Sequence, residues 1–130
     1  MTEFIGMRAL KEHEPLTTVS DGTRDYDLHN FGRLEGIEMS VLDGSAHLRW
    51  RVTHNRGSQP ALVVLEMKGV SSCKMNGEVL RKREGRNTTG LDFIEYSVDR
   101  GHIGSIRFVF DNEAEVEIEA ASCTLRSVDA

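Results

Sequence analysis

No stretch of the sequence approaches the ~18 consecutive apolar residues of a membrane-spanning helix, so a helical membrane protein is set aside. The opening MTEFIGMRALKEHE carries charges at Glu3, Arg8, Lys11 and Glu12. It therefore lacks the unbroken apolar core of a secretion signal, and a cytoplasmic protein is expected. Cysteine is scarce: only Cys73 and Cys123, fifty positions apart, are present. Two thiolates are too few for a cysteine-built zinc site, and both lie in apolar, strand-like surroundings. They read as small buried hydrophobes in a reducing compartment, with a Cys73–Cys123 disulfide as the alternative. An excess of positive charge is also missing. Against 21 acidic residues stand 16 basic ones, a net charge of −5, which argues against general attraction to nucleic-acid phosphates and favours basic protein partners.

Catalytic signatures are equally absent. There is no GxSxG, and Ser71-Ser72 precede a strand-like Cys73 where a nucleophile would need a strand-to-helix elbow. Gly101-His102-Ile103-Gly104 has the glycine content of a turn but not the GxGxxG that opens a phosphate-binding helix. No enzyme and no cofactor are expected.

What is present is alternation. At 130 residues, 38% hydrophobic and 28% charged, the chain is one domain able to bury its own core. Residues 1–22 stand apart as an N-terminal extension. Phe4, Ile5, Met7 and Leu10 sit at roughly helical spacing before Pro15, which predicts a short helix leading through an Asp21-Gly22 turn into a sheet. Around Asp43-Gly44 a two-residue turn would set Val41 opposite Ala46, Met39 opposite Leu48 and Ile37 opposite Trp50. The polar row would then pair Ser40 with His47 and Glu38 with Arg49. The apolar run ALVVLEM at 61–67 predicts a central strand, with HNRGSQP before it as a polar loop. GVSSCKM reads as a further short strand ending in an Asn76-Gly77 turn, and EVLRKREGRNTTG as an exposed loop. In LDFIEYSV, Leu91 and Phe93 differ in parity from Ile94, Tyr96 and Val98, which calls for a bulge or burial on both faces. In the last pair, Phe108 opposite Val116 and Arg107 opposite Glu117 require an odd loop, for which Asp111-Asn112-Glu113 suffices. The sum is an all-β chain: an antiparallel β-sandwich or partly open barrel of about seven strands with a short N-terminal helix.

Three clusters compete as sites. Asp25, Asp27 and His29 share one face of an extended segment and would begin a metal or hydrolytic site; the alternative buries Leu28 and uses the polar groups to cap a turn. The basic run Arg81-Lys82-Arg83-Glu84-Gly85-Arg86 has no aromatics for base stacking and reads as a solvated loop. The acidic strip Asp111, Glu113, Glu115, Glu117 and Glu119 reads either as an exposed strand face neutralised by His47, Arg49 or Arg51, or as a docking surface for a basic partner. A cavity lined by Trp50, Phe93, Tyr96 and Phe108 would instead serve a small ligand, although aromatics so placed are more often core. An uncovered sheet edge leaves a homodimer open.

The layout from Leu28-His29-Asn30 through the hairpin to LEMKGVSSCKM and the closing EVEIEAASCTL resembles small bacterial β proteins, including immunity-type proteins of polymorphic toxin systems. The resemblance implies a non-enzymatic intracellular protein that binds and blocks another.

Overall fold

The computed structural model of the chain describes residues 1–53, 60–77, 82–83, 86–87, 90–98 and 103–129. Among them the strands are β1 (Glu3–Ile5), β2 (Thr18–Ser20), β3 (Asp25–Asp27), β4 (Gly32–Ser40), β5 (Ser45–Val52), β6 (Ala61–Asn76), β7 (Lys82–Arg83), β8 (Arg86–Asn87), β9 (Leu91–Val98), β10 (Gly104–Phe110) and β11 (Glu115–Asp129). No helix occurs among the described residues, so none is long and apolar enough to cross a membrane. The main sheet runs β4-β5-β6-β11-β10-β9, every neighbouring pair antiparallel, and β1 adds to β11 in parallel. Small ladders join β2 to β3 and β7 to β8.

The two longest strands, β6 and β11, pair from Ala61 opposite Asp129 to Asn76 opposite Glu115. Their alternation is interrupted halfway. Up to Met67 and from Cys123 onward one parity is buried; past Gly69 and Ala121 the buried positions become Ala120, Ile118 and Val116. Gly69 takes φ +62°, and a Cβ there would lie 2.7 Å from the Ala121 Cβ, so both strands turn the same corner at a position only glycine fits well. A register shift between Glu119 and Ala120 adds to the bend. Partners change at this point too: β5 pairs β6 only as far as Lys68, while β11 gives 115–119 to β10 and 122–124 to β1.

Folding the sheet at this corner lays one half over the other. Trp50 of β5, fully buried, stacks on Phe110 and tilts over Phe108 of β10, both ring centroids at 6.2 Å. In β5 strict alternation supplies the inward set Ala46, Leu48, Trp50 and Val52 and leaves His47, Arg49 and Arg51 outside. The Trp50 indole N–H is buried without a hydrogen-bond acceptor, the one core donor of β5 that packing leaves unsatisfied.

The predicted N-terminal helix is replaced by strand and extended chain. Glu3, Phe4 and Ile5 pair with Ser122, Cys123 and Thr124, and Thr2 locks the end by donating its hydroxyl to the Ala120 carbonyl at 2.8 Å. Further on, Arg8 N–H bonds the Ser20 carbonyl, His13 N–H the Tyr96 carbonyl, and Leu16 exchanges two bonds with Ile94. The backbone thus finds its partners on sheet edges, which overrides the helical spacing of the apolar residues. Phe4, Met7, Leu10 and Leu16 still pack on the core, as their hydrophobicity requires. The Asp21-Gly22 turn is present, joining β2 to β3 with Gly22 at φ +94°.

The β4–β5 turn has four residues, not two. Ser40 faces Ser45, so Met39 meets Ala46 and Ile37 meets Leu48, two positions from the predicted register. Only Gly44 has positive φ, whereas a two-residue type I′ turn needs it at both central residues; the Ser40 hydroxyl accepts from Asp43 N–H and closes the wider loop. A slip of two preserves parity, so β5 keeps its inward face, but on β4 only Leu34 is buried: Ile37 is half-buried, Met39 is exposed, and Val41 falls in the turn and is exposed. A bulge at Glu35 then brings Leu34, in place of Ile37, opposite Trp50. GVSSCKM is not a separate strand but the continuation of β6. Of the loops at 54–60 and 78–90, most lies outside the described residues, and Lys82–Arg83 pairs with Arg86–Asn87 where an open loop was predicted. The bulge in LDFIEYSV is found at Asp92, and the β10–β11 register is the predicted one, with Phe108 opposite Val116 and Arg107 opposite Glu117.

The corner yields a clean comparison. Gly69→Ala and Gly44→Ala both force alanine to positive φ, near +60°, but only the first meets another side chain. We expect Gly44→Ala to cost about 1 kcal/mol and Gly69→Ala about 2 to 3 kcal/mol in urea denaturation, and equal losses would show that the corner tolerates a Cβ.

Candidate functional site

The outward face of β9, β10, β11 and the second half of β6 carries its charges in register. Glu95, Arg107, Glu117 and Lys74 form one row across four strands, alternating in sign. Rows on either side run Phe93, Val109, Glu115, Asn76 and Ser97, Ser105, Glu119, Ser72. Arg107 is the pivot: its guanidinium donates to Glu95 and Glu115 at 2.9 Å each and lies 5.8 Å from the Phe93 ring centroid. Partial burial works against its charge, but the hydrogen bonds and charge of Glu95, then of Glu115, prevail and raise its pKa above the ordinary arginine value. Glu119 accepts from the Ser71 hydroxyl at 3.0 Å. Asp111 and Glu113 are exposed in the β10–β11 turn, where Glu113 takes φ +67° as the last residue of a three-residue loop.

The neutralisers expected from β5 are elsewhere. β5 neighbours β4 and β6, so Arg49 pairs with Glu38, Arg51 with Glu35 and His47 with Glu66. Glu66 is buried, held by His47 at 3.0 Å, Arg126 at 3.2 Å and Lys68 at 3.6 Å. The acidic strip is offset instead by Arg107 and Lys74 alone among the described residues. This leaves six carboxylates (Glu95, Asp111, Glu113, Glu115, Glu117 and Glu119) against two cations.

Asp25, Asp27 and His29 do not converge. Asp27 caps the turn into β4: its Oδ1 accepts from the backbone N–H of His29 and Asn30, and its Oδ2 from the Asn30 amide. Partial burial would raise its pKa, yet the hydrogen bonds of Asn30 and His29 outweigh it and hold the carboxyl below the ordinary range. Leu28 is fully buried, and Asp25 lies on a shallow cleft of about 270 Å³ with Arg8, Leu10, Lys11 and Leu16. His29 turns the other way, its Nδ1 2.5 Å from the Leu91 carbonyl oxygen, into the company of Asp92 and Asp111. Sequence spacing singles out the histidine but not these carboxylates, which lie 63 and 82 positions further on.

The aromatic set does not line a shared cavity. Trp50 and Phe108 fill the core against each other, Tyr96 packs edge-on to Phe4, and Phe93 lies on the outward face beneath Arg107. The cysteines are free: Cys73 pairs in the ladder with Ile118 and Cys123 with Met67. Burial raises the pKa of both thiols, that of Cys123 to about 12.

Two outcomes follow. Asp27→Ala should cost about 1 to 2 kcal/mol in denaturant melts at pH 7. Since the folded carboxyl titrates below the unfolded ~3.9, this loss is expected in full above that value and should vanish as pH falls through the folded pKa. At pH 8, Cys73 should alkylate slowly and Cys123 only after unfolding; prompt labelling of Cys123 would contradict its burial.

No protein-family model, no curated protein and no solved structure matches the chain.

Proposed function

We propose that the chain is a non-enzymatic binding module of immunity-like type, whose acidic face on β9, β10 and β11 docks a basic protein partner and occludes it. The supporting observation is the charge imbalance of that face and its adjoining turn, six carboxylates to two cations among the described residues. Arg107 holds Glu95 and Glu115 in place, which leaves Glu117, Glu119 and the turn residues Asp111 and Glu113 to meet a partner. Charges arranged in this way act chiefly on encounter rate and orientation. The folded-over sheet beneath them fits the sandwich or partly open barrel that the sequence predicts, a stiff platform that loses little entropy on binding.

Testing this reading requires a rate. With a partner captured by the immobilised chain, Glu117→Lys/Glu119→Lys should slow association about tenfold at low ionic strength, with wild type and variant converging as salt rises. The variant's circular dichroism should match wild type. An association rate unchanged by the reversal would overturn the reading.

A further inference from the structure

We propose a divalent metal site where His29, Asp92 and Asp111 meet, suited to a first-row transition ion such as Zn²⁺. One ring nitrogen of His29 and one carboxylate oxygen from each aspartate lie within 4.8 Å of one another, and all three side chains are exposed. Tetrahedral ligands held roughly 2.0 to 2.2 Å from zinc lie about 3.4 Å from one another, so the trio needs to draw in by at most about 1.4 Å, within the reach of exposed side chains. The three arrive from separate parts of the chain: the loop between β3 and β4, the edge strand β9, and the first residue of the β10–β11 turn.

The histidine distinguishes this group from a gathering of acids. Its Nδ1 lies 2.5 Å from the Leu91 carbonyl oxygen, which is outside the trio and can only accept. Nδ1 therefore carries the ring proton and Nε2 keeps its lone pair, the form in which imidazole binds a metal; a backbone carbonyl on the other nitrogen is the usual orienting partner of a ligating histidine. Two further features of the backbone serve the aspartates. Asp92 is the extra residue of the β9 bulge, since Phe93 faces Val109 while Leu91 faces Phe110, and this takes it out of the ladder's alternation. Asp111 N–H bonds the Gly90 carbonyl at 2.8 Å, and a Cβ at residue 90 would come 2.5 Å from Asp111 Oδ2, so the glycine leaves that carboxylate its room.

Electrostatics then favour a cation. Among the described residues neither Asp92 nor Asp111 has an ion-pair partner, and two like charges held this close are relieved by a positive ion between them. One imidazole with two carboxylates suits zinc and its neighbours, with a fourth position left to water; calcium and magnesium prefer all-oxygen shells with more ligands.

Zn²⁺ titration by calorimetry and thermal shift tests the proposal on the full chain. We expect saturable one-to-one binding, a raised melting temperature, and affinity lowered at least about tenfold by either His29→Ala or Asp92→Asn. Both residues are exposed, and unchanged circular dichroism confirms that each variant folds. Absence of saturable binding, or wild-type affinity retained in either variant, would overturn the site, the second outcome placing the ion elsewhere on the chain. Neither residue belongs to the acidic strip, so the result is independent of the docking reading.

Discussion

The corner at Gly69 and Ala121 is the constraint that the remaining architecture answers to. A ladder of fifteen-odd residues that stayed flat would expose one complete apolar side; by switching its buried face midway, the β6–β11 pair can serve both halves of a folded-over sheet. Each neighbour then takes a length of this pair that ends near the corner: β5 along the first half of β6, β10 and β1 along successive parts of β11. Trp50 reaches Phe108 and Phe110 only because the two halves face each other. The same overlap brings the ends of the strand order, β4 and β9, into contact and carries His29, just before β4, to the Leu91 carbonyl at the start of β9.

Charge is distributed along the same division. The outer side of β4, β5 and the first half of β6 carries Arg33, Arg49, Arg51, Lys68 and the neighbouring Arg126, with Glu35, Glu38 and the buried Glu66 tied to them. Glu66 would be costly alone at its depth, and its three partners offset that cost. The other half inverts the balance, so the strip on β11 keeps its excess because the cations predicted to cancel it belong to strands across the fold. The exposed pairs within each face stabilise by little, of order 0 to 1 kcal/mol each, but opposite signs set side by side across strands disfavour a slipped register.

How much of this was legible depends on whether local alternation continued unbroken. β10 and β11 alternate strictly from Ile106 to Ala120, and there the sequence specifies loop length, register and the Arg107–Glu117 pairing. Around β4 it specifies parity alone: the wider turn takes Val41 out of the ladder and leaves Met39 exposed, and the choice between the two turns lies in the Ser40–Asp43 hydrogen bonds, which no hydrophobic pattern encodes. The N-terminal segment departs from its helical spacing because its backbone partners are the edges of β11 and β9, more than seventy-five residues away. For the candidate sites the limit is the same. His29 was identifiable as a ligand type and the strip as a row of carboxylates, but spatial neighbours contributed by distant strands were not.

The two candidate surfaces also differ in how they are made, and this bears on what each is fitted to do. The acidic face is a product of regular pleating: any strand with glutamate at alternate positions beside such neighbours would present it, and its breadth suits a partner that reads charge over several residues. The corner at His29 is built from departures from regularity, an Asx-capped turn, a bulge at Asp92 and a tight three-residue loop beginning at Asp111. Irregular backbone aims side chains that pleating would separate, which is what a ligand needing several donors within a few ångströms demands. Asp111 stands at the boundary of the two, first residue of the strip and last of the trio, so an ion bound there would remove negative charge from one end of the acidic face. If the proposed metal and the proposed basic partner both use that carboxylate, each weakens the other's binding by the same factor.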